Sequence, residues 1–255
     1  MSEIVDTGCV RVTRPAPHVV RIELDNPPMN ALARKLRAQL RDALAAVRTD
    51  AEVRCLILTG TGRAFCAGDD LKEAMEQGQD FADLCGLFNA VEDFPSPVIA
   101  AVNGWCVGGG LELALCCDIR IASEAARFTA AGVNVGLMAS TYRLPRIIGL
   151  GRAKAMLLTG SPHDAQTAER YGLVTAVVPA ADLGTAALTL AKTIASRAPL
   201  SERAVKRAAN LAFDVSREEA DAGAIAGFAE LERSDDHRAA LEAFSNRGTP
   251  VFVGR

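Results

Sequence analysis

Several things are scarce in this chain of 255 residues. Histidine is limited to His18, His163 and His237, and no two of the seven cysteines are spaced Cys-x-x-Cys. No ligand set with zinc-site spacing remains, so no metal is expected. Cys9, Cys55, Cys66, Cys85, Cys106, Cys116 and Cys117 are odd in number and mostly have apolar neighbours, so they read as reduced core thiols. No apolar run approaches the roughly 20 residues of a membrane-spanning helix. The opening Met1-Ser-Glu-Ile-Val-Asp6 lacks the basic start and apolar centre of a signal peptide, so a cytoplasmic location is expected. Neither sign of charge dominates. The 28 Lys and Arg against 31 Asp and Glu leave a net charge of −3, which argues against a nucleic-acid partner or polybasic membrane docking. Linkers, low-complexity tracts and sequence repeats are missing too.

What remains is an ordinary globular composition, 49% hydrophobic and 23% charged, long enough for one α/β core. Strand-like runs at Cys9–Thr13 and Val19–Leu24 flank a Pro15-Ala-Pro17 turn. Asn30 is expected to cap a helix reaching about Val47, with Leu32, Leu36, Leu40 and Leu44 on one face. Buried strands follow at Arg54–Thr59 and Val98–Val102, then shorter ones at Ile119–Ala122 and Arg127–Ala130. Residues 73–94 read as a polar, weakly amphipathic helix or loop interrupted by Gly78 and Gly86. Beyond Gly151 helical patterns dominate, with Pro199 opening one of them. The order is alternating βα, then a helical third.

Two stretches carry chemistry. In Asn103-Gly-Trp-Cys-Val-Gly-Gly-Gly-Leu-Glu-Leu-Ala-Leu-Cys-Cys-Asp118, three glycines join an apolar strand to an apolar helix. Free N–H groups at such a helix start face whatever arrives, and Glu112 lies in the first turn. The second stretch, Arg63-Ala-Phe-Cys-Ala-Gly-Asp-Asp-Leu-Lys72, is another strand–loop–helix junction about forty residues earlier, with Asp70 suited to cap the helix. Parallel strands could bring both loops to one sheet edge, where one N–H from each would form a two-donor hole for an oxyanion.

This combination resembles the crotonase (enoyl-CoA hydratase/isomerase) superfamily, and the resemblance runs along nearly the whole chain. It is carried by Ile22-Glu-Leu-Asp-Asn-Pro-Pro-Met-Asn-Ala-Leu32, by Ala64–Lys72, by Pro97–Ala114 with Cys117-Asp118, by Leu158-Thr-Gly160, and by Ala165–Val174. The resemblance implies an α/β, ClpP/crotonase-like spiral of ββα units over residues 1–195 and a helical trimerisation region over residues 196–255. It implies an acyl-CoA thioester substrate, no cofactor beyond the coenzyme A the substrate carries, and a homo-oligomer, trimer or dimer of trimers. Position by position, it implies Asp69 and Gly109 as oxyanion-hole N–H donors and Glu112 as the catalytic carboxylate. Ala67, Leu71 and Lys72 would line the coenzyme A track.

The chain departs from that family in one place that matters. Its hydratases pair the first-turn glutamate with a second about twenty residues on, where Gly132 stands here. No Asp or Glu occurs from Ala125 to Pro162, so a shift in alignment cannot supply one. Three readings follow: an enoyl-CoA hydratase working with Glu112, an isomerase or thioester hydrolase needing one carboxylate, or a silent acyl-CoA-binding protein. Asp69, Asn134 and Tyr142, with Ser140 and Thr141, are polar groups that could substitute, although the Asp69 side chain is expected to face solvent. Trp105 is expected in a pocket wall or the core, and Arg247 could clamp a neighbour's coenzyme A phosphate. If Gly132 is the vacated position, Gly132→Glu is expected to raise hydratase activity.

Overall fold

The computed structural model describes residues 5–78 and 80–255. Residues 1–4 and Gln79 lie outside that description, and with them most of the N-terminal stretch read above for a signal peptide. The chain opens with β1 (Val5–Asp6), β2 (Val10–Ala16) and β3 (Val19–Leu24), followed by α1 (Arg34–Arg48). Three strand–strand–helix units come next. The first is β4 (Cys55–Gly60), β5 (Ala64–Cys66), α2 (Leu71–Gln77) and α3 (Phe81–Glu92). The second is β6 (Val98–Val102), β7 (Trp105–Val107) and α4 (Gly109–Leu115). The third is β8 (Ile119–Ser123), β9 (Arg127–Thr129), a 3₁₀ turn over Ala131–Val135, α5 (Arg143–Ile148) and α6 (Leu150–Thr159). The chain continues through β10 (His163–Asp164), α7 (Ala165–Tyr171), β11 (Ala176–Val178) and α8 (Leu183–Ala195). It finishes with α9 (Pro199–Asn210), α10 (Arg217–Leu231) and α11 (Asp235–Ser245).

Each unit gives its first strand to one sheet and its second to another. The large sheet has the order β1-β2-β3-β4-β6-β8-β11 and is parallel from β3 onward. The small sheet has the order β10-β9-β7-β5, with β5, β7 and β9 parallel. This stepwise spiral is the ββα architecture expected above, with the helical C-terminal third present.

Strand alternation divides the core. Cys55, Ile57, Ile99, Ala101 and Ile121 face α8, whose Ala187, Ala191 and Ala195 let it lie close to the sheet. Leu56, Leu58, Val98, Ala100 and Val102 face the other way, onto α1, α3, α4 and the small sheet. The predicted leucine stripe of α1 is fully inside, with Leu36 and Leu40 at 0% exposure. Residues 73–94 form two helices broken at Gly78, and α3 buries Leu84, Leu87, Phe88 and Val91 despite Gly86. Six cysteines are buried free thiols and Cys85 is exposed on α3. Burial pushes the Cys55, Cys66 and Cys117 thiols up to about 12, so they stay protonated. No helix among the described residues is long and apolar enough to cross a membrane.

Asn30 does not cap α1, contrary to expectation; Ala33 precedes that helix without a side-chain cap. Asn30 instead adopts φ 55° and is 1% exposed. Its Oδ1 accepts from Asn26 N–H at 2.9 Å, and its Nδ2 donates to Thr61 O and Ala64 O at 3.0 and 2.8 Å. Asn103 donates to the same Ala64 carbonyl at 3.1 Å while accepting from Gly60 N–H at 3.2 Å. Two asparagines thus tie the loops before α1 and after β6 to the β4–β5 connection. Asn30→Ala should cost about 2–4 kcal/mol in a denaturation measurement, since it strands buried polar groups and puts alanine in the left-handed region. A loss within experimental error would remove Asn30 from this tie.

Candidate active site

Two strand–loop–helix junctions meet at one edge of the small sheet. Because β5 and β7 run parallel, with Cys66 beside Cys106, their following loops emerge together. Close approach depends on two glycines. A Cβ on Gly110 would lie 2.0 Å from the Cys66 carbonyl oxygen. A Cβ on Gly68, which has φ +83°, would lie 2.7 Å from both Gly109 N and Val107 O. The first loop is held by Ala67 N–H donating to Met29 O at 3.0 Å and Leu32 N–H donating to Gly68 O at 2.8 Å. The second is held by Gly108 N–H donating to Thr129 O at 3.0 Å. The result places Asp69 N–H, one residue past Gly68, beside Gly109 N–H at the start of α4. Among the described residues, neither N–H has an acceptor. Such a pair is suited to stabilise charge developing on one oxygen.

The donors open onto a cavity of about 390 Å³. Ala67, Asp69 and Leu71 form one side, Phe81, Leu84 and Phe88 of α3 another, and Gly132, Val135, Leu137 and Met138 a third. Glu112 of α4 closes it and is 8% exposed. Its Oε1 accepts from Arg143 Nη1 at 2.5 Å, whereas Oε2 is buried and has no partner among the described residues. Arg143 also donates from Nε and Nη2 to the two oxygens of Glu92, at 3.1 and 2.5 Å. Burial works against the charge on Arg143, but these carboxylates outweigh it and hold its pKa above the ordinary guanidinium value.

The expected residues divide between those that reach this cavity and those that do not. Asp69, Gly109, Glu112, Ala67 and Leu71 line it. Lys72 is exposed on the first turn of α2, which Asp70 caps as predicted by accepting from Lys72 and Glu73 N–H. The Asp69 side chain does not turn to solvent as expected. Its Oδ1 is buried without a partner, 3.1 Å from where a Cβ on Gly109 would stand. Burial raises the Asp69 carboxyl above its usual range, partly offset by Arg37. Asn134 and Tyr142 must be corrected, because both point elsewhere. Asn134 Nδ2 donates to Gly160 O at 2.9 Å, and Tyr142 OH donates to Asp214 at 3.0 Å with Arg146 stacked on its ring. Thr141 is exposed, whereas Ser140 does line the cavity with a buried hydroxyl. Trp105 is 40% exposed on β7 and lies in neither the cavity wall nor the core.

Gly132 lines the cavity, but the space beside it is taken. A Cβ there would meet Leu137 O at 2.9 Å, Ala139 N at 3.0 Å and Met138 C at 3.2 Å. The short segment after the 3₁₀ turn folds its backbone against Gly132. A glutamate could enter only by displacing that segment, so Gly132→Glu is no longer expected to raise activity.

Arg143 and Glu92 escaped the sequence reading. One signal was available: the charges between Ala125 and Pro162 are all basic, and a buried Glu112 needs a cation.

The comparisons agree with this geometry. The model of the enoyl-CoA hydratase/isomerase family matches residues 16–255. The (E)-benzylidenesuccinyl-CoA hydratase of Thauera aromatica is 38% identical over 253 residues, covering 93% of this chain and 96% of that protein. The crotonyl-CoA hydratase of Syntrophomonas wolfei is 36% identical over 236 residues, covering 89% and 91%. The crystal structure of enoyl-CoA hydratase from Bacillus anthracis superposes with TM-score 0.93 at 36% identity, over 97% of this chain and 100% of that one. With both glycine loops, Glu112 and the C-terminal helices inside the matched span, the chain belongs to the enoyl-CoA hydratase/isomerase family.

Proposed function

We propose that the protein is an enoyl-CoA hydratase that adds water across the C2=C3 bond of a 2-enoyl thioester. The observation that carries this reading is that Asp69 and Gly109, each with an unpaired backbone N–H, and Glu112, with one unpartnered carboxylate oxygen, line a single apolar cavity. The thioester oxygen accepts from Asp69 N–H and Gly109 N–H. Glu112 takes a proton from water as the water oxygen bonds to C3, and the π electrons move onto the thioester oxygen. The two donors stabilise that enolate. When the carbonyl reforms, C2 takes the proton back from Glu112, and water has been added with the carboxylate restored.

Ala67 and Leu71 border the entry of the coenzyme A arm, and Lys72 stands near its phosphates. The phenylalanines of the cavity suit an apolar or aryl-bearing acyl group, and the Thauera relative is named for a benzylidenesuccinyl thioester. Assembly as a trimer or dimer of trimers is part of this reading. No residue of α10 is buried, and Ile225, Phe228 and Phe244 are 71–86% exposed. A second copy of the chain would cover them and could receive Arg247 at its coenzyme A.

The missing second carboxylate also favours an allylic proton shift, for which Glu112 alone suffices. Turnover with crotonyl-CoA, with an aryl-substituted 2-enoyl-CoA and with a 3-enoyl-CoA separates the readings. The expected result is a 3-hydroxyacyl-CoA product. Migration of a 3-enoyl double bond without hydration would instead establish an isomerase, and tight acyl-CoA binding without turnover a silent binder.

A further inference from the structure

Arg143 is assigned no step in the reaction above, yet three helices meet at its guanidinium. It comes from α5, its side chain is 14% exposed, and it is the one cation in contact with Glu112 among the described residues. The two-point contact with Glu92 of α3, at 3.1 and 2.5 Å, fixes the plane of the fork. Nη2 also reaches Asn89 Oδ1 at 3.4 Å. With the fork held, Nη1 points at Glu112 Oε1 from 2.5 Å, and Oε2, buried on a residue that lines the cavity, has no partner among the described residues.

We propose that Arg143 is a positioning residue that lets one carboxylate perform both proton transfers, by pinning Glu112 Oε1 so that Oε2 alone exchanges protons. This rests on the hydratase reading. A buried carboxylate without a cation favours its neutral form and rotates freely, which defeats a general base. Pinned by Arg143, Glu112 has one oxygen without a partner, Oε2. Oε2 accepts the water proton as the C3–O bond forms, and the same proton passes to C2 as the enolate collapses. Arg143 exchanges no proton. Among the described residues no other side chain hydrogen-bonds the Glu112 carboxylate, and the 137–139 backbone fills the ground beside Gly132.

The other titratable groups near Glu112 are Glu92 on α3, Cys116 on its own helix and Asp69 across the cavity. Burial holds the Cys116 thiol well above its usual range, so it stays neutral. Burial also raises Asp69.

Arg143→Met and Arg143→Lys in the whole protein test the idea with crotonyl-CoA. Arg143→Met should lower kcat about 10²-fold. KM, and the Kd for saturated butyryl-CoA, should stay within about threefold. Arg143→Lys, which keeps the charge, should recover part of the lost kcat. A structural role alone would lower Tm and leave kcat as low in Arg143→Lys as in Arg143→Met; that outcome, or an unchanged kcat in Arg143→Met, overturns the proposal. If wild type hydrates no enoyl-CoA, the hydratase reading fails by itself. The pinning is then decided by ¹³C carboxylate NMR of Glu112, assigned through Glu112→Gln. At one fixed pH, a carboxylate signal displaced or broadened in Arg143→Met supports it, and a signal unchanged from wild type overturns it.

Discussion

Replacing Gly68 by alanine is expected to lower hydratase turnover by about three orders of magnitude. Loss of one oxyanion donor costs about 10²–10³ in rate, and this change disturbs both. The added methyl would stand 2.7 Å from Gly109 N and from Val107 O, inside any normal contact distance. Either it occupies the ground in front of the Gly109 N–H, or the two loops separate and Asp69 N–H moves with them. The φ of +83° adds a backbone penalty of roughly 1–2 kcal/mol for any side chain. Steady-state kinetics beside thermal denaturation separates the two costs, since a folded variant with abolished turnover isolates the hole. Activity within tenfold of wild type would show that the seam between Gly68 and Gly109 does not frame the reacting oxygen.

The second large effect is expected from Glu112→Gln. The amide keeps the size of the side chain and an oxygen for Arg143, but it cannot take a proton from water. General acid–base catalysis contributes about 10²–10⁴ in rate, and here one group serves both transfers, so the upper part of that range is expected. Binding of butyryl-CoA should be unchanged, because the donor pair and apolar walls are untouched. Kinetics with crotonyl-CoA and calorimetric titration with butyryl-CoA check both halves. Residual turnover above a tenth of wild type would move the base elsewhere. Asp69, the other carboxyl on the cavity wall, would then be the residue to substitute.

Much of the architecture was legible because it depends on neighbours in the chain. The apolar runs of β4 and β6, the leucines of α1, the Asp70 cap and the glycine loops all follow from local spacing. Fewer details were legible where the chain bends back on itself. Asn30 satisfies the pattern of a helix cap but is drawn into the β4–β5 connection, where the buried carbonyl of Ala64 and the half-buried one of Thr61 need a donor.

The amino-acid sequence was enough for the family, the two glycine loops and the place of Glu112 in the first turn of α4. These rest on residues close together in the chain, whose spacing dictates a strand, a tight turn and a helix start. Tertiary structure alone decided how Glu112 is served. The pairing with Arg143 and Glu92 depends on where α3, α4 and α5 come to rest, and no local pattern encodes that meeting. The same holds for Asp69, turned inward against Gly109, and for the backbone packed on Gly132. Charge and space in a buried site are set by what arrives from other segments, and only the packed chain brings those segments together.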